Sequence, residues 1–184
     1  MNNKFAFTSS NRAYTDLALK HFQKFVKEYD LVGSKKILVG VSGGIDSVVL
    51  LHIFKRCGYS LRTIYIHHGT RSGQDSELEF VKNLSRQLNI EFKSMQISGL
   101  DPSKNFEFNA RVKRYELFHE VKKPDEVIVL AHHIDDSFEW SFLQGLKSSN
   151  LKSTVGIPVI NGDIIRPLMC MTKNQIKHYA NCFD

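Results

Sequence analysis

The sequence predicts an α/β fold, a parallel twisted sheet with helices on both faces, in a single domain spanning residues 1–184. Short apolar runs such as Ile37-Leu38-Val39 and Val127-Ile128-Val129-Leu130 do not alternate with polar residues, so they read as strands buried on both faces. Between such runs lie stretches with helical spacing of apolar residues, the alternation expected of βαβ units. A composition of 42% apolar, 24% charged and 11% aromatic residues is ordinary globular usage. It excludes collagen-like, low-complexity and wholly disordered chains.

Each element has its own local reason. Residues 1–10 hold one Lys and a Phe-Ala-Phe triplet, too short for an export signal, and are expected to be a frayed lead-in. Leu17, Leu19, Phe22, Phe25 and Val26 give residues 14–29 a helical apolar face. Residues 37–41 form the first strand, and the helix through residues 48–54 closes at Cys57-Gly58. A second strand at 61–66 leads to a helix at 72–88, with Ser72 as its N-cap. Residues 92–97 form the third strand, and the helix at 105–121 is stopped by Pro124. A fourth strand at 127–131 precedes a helix at 135–146 and a polar loop at 147–154. Asn161-Gly162, between two apolar runs, predicts a type I′ hairpin turn. Thr172 with Gln175 predicts a capping box opening a last helix that ends near Cys182.

Charge and cysteine usage narrow the function. Twenty-five Lys and Arg against 19 Asp and Glu leave +6, which favours an anionic partner such as a nucleotide or nucleic acid. No uncharged apolar run is long enough for a transmembrane helix, so no membrane partner is expected. Cys57, Cys170 and Cys182 form no C-x-x-C and are odd in number, which suits a reducing cytoplasm.

The chemistry concentrates after the first strand, in Ser42-Gly43-Gly44-Ile45-Asp46-Ser47. Two glycines allow a tight turn whose N–H groups converge on an anion, and a helix N-terminus follows. The Ser42 and Ser47 hydroxyls can add bonds to phosphate oxygens. Asp46 suits an anion site when Mg²⁺ bridges it to phosphate. Neither G-x-x-x-x-G-K-[ST] nor G-x-G-x-x-G is present, which sets aside a Walker A loop and a standard dinucleotide site.

This segment resembles the loop of the PP-loop ATP pyrophosphatases, Rossmann-like enzymes that cleave ATP to AMP and pyrophosphate. Four more segments follow it: His67-His68-Gly69-Thr70-Arg71, the run Asn105, Glu107, Arg111, Arg114 and Tyr115, then His132-His133-Ile134-Asp135-Asp136 with Glu139, and Arg166-Pro167-Leu168. Their order resembles the tRNA(Ile)-lysidine synthetase family. The resemblance implies a ligase using ATP and Mg²⁺ to adenylate the wobble cytidine of an isoleucine tRNA with a CAU anticodon, then attaching free lysine. It implies ATP binding by Ser42, Gly43, Gly44, Asp46, Ser47 and His67, with Mg²⁺ on Asp46. It implies lysine and tRNA contacts from Glu107, Arg111, His133, Asp136 and Glu139, and catalytic roles for Asp46, Arg111 and Asp136.

The residues leave some choices open. Glu107 and Arg111 are four apart and read equally as a surface salt bridge. Asp136 and Glu139 share a helix face and would repel without a cation between them, either a lysine ammonium or Mg²⁺. His67 serves packing as readily as nucleotide contact. The family pattern has Asn-His where His67-His68 stands, Thr where Trp140 stands, and an Arg lacking from residues 144–150. Family members continue with tRNA-gripping domains, so the resemblance implies that this chain is the catalytic core. Alternatives are another PP-loop enzyme, either a tRNA sulfur transferase or a small-molecule amide or amine ligase, and a non-catalytic nucleotide-binding module.

Overall fold

A computed structural model describes residues 9–68, 73–99, 105–146 and 155–183. The predicted frayed lead-in, Ser72 and the 147–154 loop fall wholly or mostly outside these residues. The chain divides into two compact units, Ser34–Val129 and a second formed by Met1–Gly33 with Leu130–Asp184. Four of the six strands found among the described residues run parallel, as the sequence predicts.

In the 34–129 unit, β1 (Lys36–Gly40) is flanked by β2 (Leu61–His67) on one side and β4 (Glu126–Val129) on the other, with β3 (Glu91–Gln96) outside β2. The helices α2 (Ile45–Arg56), α3 (Gln74–Gln87) and α4 (Phe106–Val121) connect them in turn. Winding therefore proceeds outward from β1 to β3 and returns to the other side of β1, so it reverses between β1 and β4. Ligand crevices in open α/β sheets lie at such a reversal, beyond the strand C-termini. Ile37, Leu38, Ile64 and Ile128 are fully buried, as continuous apolar strands require. The edge strand β3 is largely exposed.

An ion-pair cluster closes the N-terminal end of this sheet, away from the strand C-termini. Arg62 Nη1 donates to both carboxylate oxygens of buried Glu126 at 2.9 and 3.0 Å, and Arg62 Nε donates to Glu91 at 2.9 Å. The Lys123 N–H adds a 2.8 Å bond to Glu126. The Glu126 carboxylate is thus multiply bonded, the condition under which a buried charge is tolerated.

The second unit holds α1 (Ser9–Glu28), α5 (Ile134–Leu146), a hairpin of β5 (Ile160–Asn161) and β6 (Ile164–Ile165), a 3₁₀ turn at Pro167–Cys170, and α6 (Lys173–Asn181). Phe22 of α1 and Leu168, Ile176 and Tyr179 are completely buried in it. The capping box of α6 is present: Thr172 Oγ1 accepts from the Gln175 N–H and Gln175 Oε1 from the Thr172 N–H.

Two local expectations need correction. Residues 162 and 163, not 161 and 162, occupy the hairpin turn, because Asn161 pairs with Ile164. Gly162 has φ +62° and Asp163 is not in the positive-φ region, so the turn is not the I′ type, which needs positive φ at both central residues. Helix α3 is capped by Gly73, with φ +98°, rather than by Ser72. No helix among the described residues is long and apolar enough to cross a membrane.

Burial, and then the Arg56 guanidinium one turn on, push the His52 imidazole of α2 from 6.5 down to about 4. The folded state therefore excludes a proton that the unfolded chain takes up below pH 6.5. Stability should be full above that pH and fall as pH drops towards 4, by on the order of 3 kcal/mol. Urea unfolding at pH 7 and 4.5 measures this, and His52→Gln should flatten that dependence.

Candidate functional site

The loop after β1 is built as an open anion cradle. Gly43 has φ +85°, a left-handed conformation that costs an L side chain about 1–2 kcal/mol. Helix α2 begins at Ile45, earlier than the sequence suggests, so Asp46 and Ser47 belong to its first turn. Its N-cap is Gly44, and no side chain caps the helix. The first turn of α2 lies at the positive end of the helix dipole, where negative charge is favoured.

Ser42 and Ser47 differ in what they offer. Ser47 is buried, its Oγ donating to Gly44 O at 2.9 Å and accepting from the Ser42 N–H at 3.1 Å. It closes the loop on itself. Ser42 is exposed, with its Oγ 3.3 Å from Ser47 Oγ and 3.4 Å from the Gly44 N–H. Asp46 is half-buried. One carboxylate beside a phosphate cradle fits Mg²⁺, which binds through one or two carboxylates plus substrate phosphates. Among the described residues no cluster of three or more His, Cys, Asp or Glu side chains stands ready to hold a metal.

Also in this unit, His67 ends β2 with its Nε2 3.3 Å from Asp75 Oδ1 of α3. Residues 69–72 lie outside the described structure. On α4, Glu107 and Arg111 do not form the salt bridge that their spacing allows. Arg111 Nη2 instead donates to Tyr115 Oη at 3.3 Å, with its guanidinium carbon 5.3 Å from the ring centre. The Arg114 guanidinium packs on the same ring at 5.8 Å, and its Nε is buried with no hydrogen-bond partner. Desolvation holds Arg114 below the usual arginine range, the neighbouring Arg111 charge adds to this, and Tyr115 opposes it. Two cations on one aromatic ring form an electropositive patch suited to an anionic substrate. Nothing local in the sequence reveals the burial of the Arg114 Nε.

In the other unit, His133 and Asp136 cap α5 reciprocally. The His133 N–H donates to Asp136 Oδ2 at 2.9 Å, and the Asp136 N–H points at His133 Nδ1 at 3.4 Å. Their positions are those of a capping box, with a buried histidine in place of Ser or Thr. Asp136 Oδ1 lies 3.6 Å from His133 Nε2, and the carboxylate side chain remains 36% exposed. Asp135 Oδ2 accepts from the Lys173 N–H at 2.8 Å, tying α5 to the start of α6. Glu139 is exposed and makes no ion pair among the described residues. Arg166, of the Arg-Pro-Leu segment, is buried and donates from Nη1 to Pro158 O at 2.8 Å. A shallow cavity of about 280 Å³ between α1 and α6 contains none of these residues.

This fold and this loop define an α/β protein with a glycine-rich turn where the winding of its sheet reverses. The PP-loop domain family matches residues 15–183, and the chain belongs to it. A tRNA(Ile)-lysidine synthase of Actinobacillus pleuropneumoniae is 35% identical over 150 residues, covering 79% of this chain and 36% of that protein. Another, of Petrotoga mobilis, is 32% identical over 172 residues, covering 88% of this chain and 55% of that protein. The chain thus spans between about a third and about half the length of these curated relatives. Among solved structures, the U34-tRNA thiolase NcsA of Methanococcus maripaludis superposes with a TM-score of 0.74 at 15% identity, over 93% of this chain and 64% of that chain. The NMN synthetase of Francisella tularensis gives 0.61 at 16% identity, over 97% of this chain and 72% of that chain. These likenesses establish the fold.

Helix α5 depends on a close approach. Gly156 has φ +91°, and a Cβ on it would collide with Ser137 Oγ and reach 3.0 Å from Ser141 Oγ. The same Ser137 Oγ accepts the Ile157 N–H at 2.9 Å. Gly156→Ala should lower stability by about 1–3 kcal/mol, seen as a lower Tm in thermal unfolding.

Proposed function

We propose that the chain carries the catalytic chemistry of a tRNA(Ile)-lysidine synthetase, an ATP-dependent carbon–nitrogen ligase of the cytoplasm. It would adenylate the wobble cytidine of a CAU-anticodon isoleucine tRNA and join lysine through its ε-amine. The observation that carries the reading is the uncapped Gly43-Gly44 turn at the reversal of the sheet, in a chain 35% identical to a lysidine synthase.

The scheme is two displacements. The cytosine oxygen attacks the ATP α-phosphorus and pyrophosphate leaves. The lysine amine then attacks the activated ring carbon, losing a proton as AMP departs. No protein nucleophile is needed, so the protein contributes position and charge. Gly43, Gly44 and the first amides of α2 hold the departing pyrophosphate, with Ser42 beside them and Ser47 fixing the turn. Asp46 would hold Mg²⁺, which supplies charge neutralisation on the phosphates. The guanidinium of Arg111, free of Glu107, meets negative charge on the α-phosphate or the adenylated base. His67 borders the nucleotide. Asp136 and Glu139 offer carboxylates to the lysine ammonium, His133 sets the Asp136 rotamer, and Glu107 contacts tRNA or lysine.

Sulfur transfer is less well supported. Burial pushes the Cys170 thiol up to about 12, and Cys170 and Cys182 donate to the carbonyls of Pro167 and His178, so neither resembles a reactive thiolate.

Exchange of label between pyrophosphate and ATP should require tRNA and persist without lysine; turnover indifferent to tRNA would overturn the substrate assignment. Asp46→Asn should lower exchange by at least roughly tenfold while leaving Tm unchanged, a loss near the scale of one charge-assisted contact. Asp136→Asn keeps an oxygen acceptor for the His133 N–H but removes the charge. It should raise the KM for lysine far more than that for ATP in steady-state assays, and equal effects would point to a metal role.

A further inference from the structure

Behind the anion loop stands a support, built by α3 and β2, that the two displacements do not use. The bare Cα of Gly43 faces Glu77: a methyl group there would lie 3.5 Å from Glu77 Cβ and 3.7 Å from both Glu77 Cγ and Val81 Cγ2. Glu77 is held in turn by Tyr65 of β2, which is 2% exposed. The Tyr65 phenol lies 3.3 Å from Glu77 Oε2 and 3.2 Å from Gln74 O, sharing one proton between the two acceptors. Two residues along the same face of β2, His67 reaches Asp75. The first turn of α3 is thus fastened to the C-terminal half of β2, and the Glu77–Val81 ridge forms the floor under the left-handed glycine.

A carboxylate behind a phosphate cradle is electrostatically unfavourable for the anion in front of it. Its use here lies in its shape and its hydrogen bond rather than in its charge. We infer that Glu77 is a positioning residue for the pyrophosphate loop: its stem, pinned by Tyr65, keeps Gly43 in the conformation in which the loop amides converge. The inference rests on the ATP reading of this loop. An interaction that holds pyrophosphate equally in ground and transition states moves KM and not kcat.

The test uses the whole chain, with ATP·Mg²⁺ titrated calorimetrically and exchange kinetics measured alongside thermal unfolding. Glu77→Ala and Tyr65→Phe should each weaken ATP binding roughly fivefold, the scale of one lost hydrogen bond, and raise the KM for ATP in step with kcat unchanged. Glu77→Gln keeps the stem and an acceptor, and should bind ATP as well as the parent or better. The inference is overturned if Glu77→Ala lowers Tm and kcat but leaves Kd and KM for ATP alone. It is equally overturned if Glu77→Gln is as weak as Glu77→Ala. A parent chain that binds no ATP would overturn the ATP reading itself and this inference with it.

Discussion

Helix α2 starts on a glycine N-cap that has no side chain to cap it, directly after the central strand of the 34–129 unit. An uncapped N-terminus is a weakness in an isolated helix. Placed after a central strand, at the point where the winding of the sheet reverses, such an end is suited to receive negative charge. The flanking strands β2 and β4 hold β1 rigid, Gly43 supplies the one backbone angle the turn requires, and α3 lies beneath it. The Arg62–Glu126 cluster sits at the N-terminal ends of the strands, so the buried charge pair and the anion cradle occupy opposite edges.

Much of this was legible in the sequence because it is local. The apolar runs of β1 and β4, the glycine pair, and the Thr172–Gln175 box each involve residues within a few positions of one another. What escaped is long-range. Arg62 and Glu126 are separated by 64 positions, and Asp135 and Lys173 by 38. No periodicity links Glu77 to Gly43, because only the packing of α3 brings them together. The hairpin turn was misplaced by one residue for a different reason: Asn161-Gly162 is a strong local signal, but the pairing of Asn161 with Ile164 decides the register.

The three carboxylates of the Asp-Asp-x-x-Glu segment have separate tasks. Asp135 fastens α6, Asp136 caps α5 through His133, and Glu139 is left to solvent. A motif that looks wholly chemical in sequence is therefore partly architectural. The histidine in the N-cap position makes the difference: it is large enough to be buried and still presents a nitrogen to the Asp136 amide. A carboxylate locked at one oxygen keeps the other in a fixed direction, so the cap also serves any cation that Asp136 receives.

Helix α5 buries none of its residues, and Phe138 and Phe142 stack on its surface with ring centres 6.5 Å apart. Next to Glu139 on this helix stands Trp140, the sole tryptophan of the chain, 44% exposed. Emission excited selectively in the indole band thus comes from a single place, one residue from the exposed carboxylate of Glu139. The protein carries its own fluorophore where a change in polarity would be easiest to read, with no label to attach.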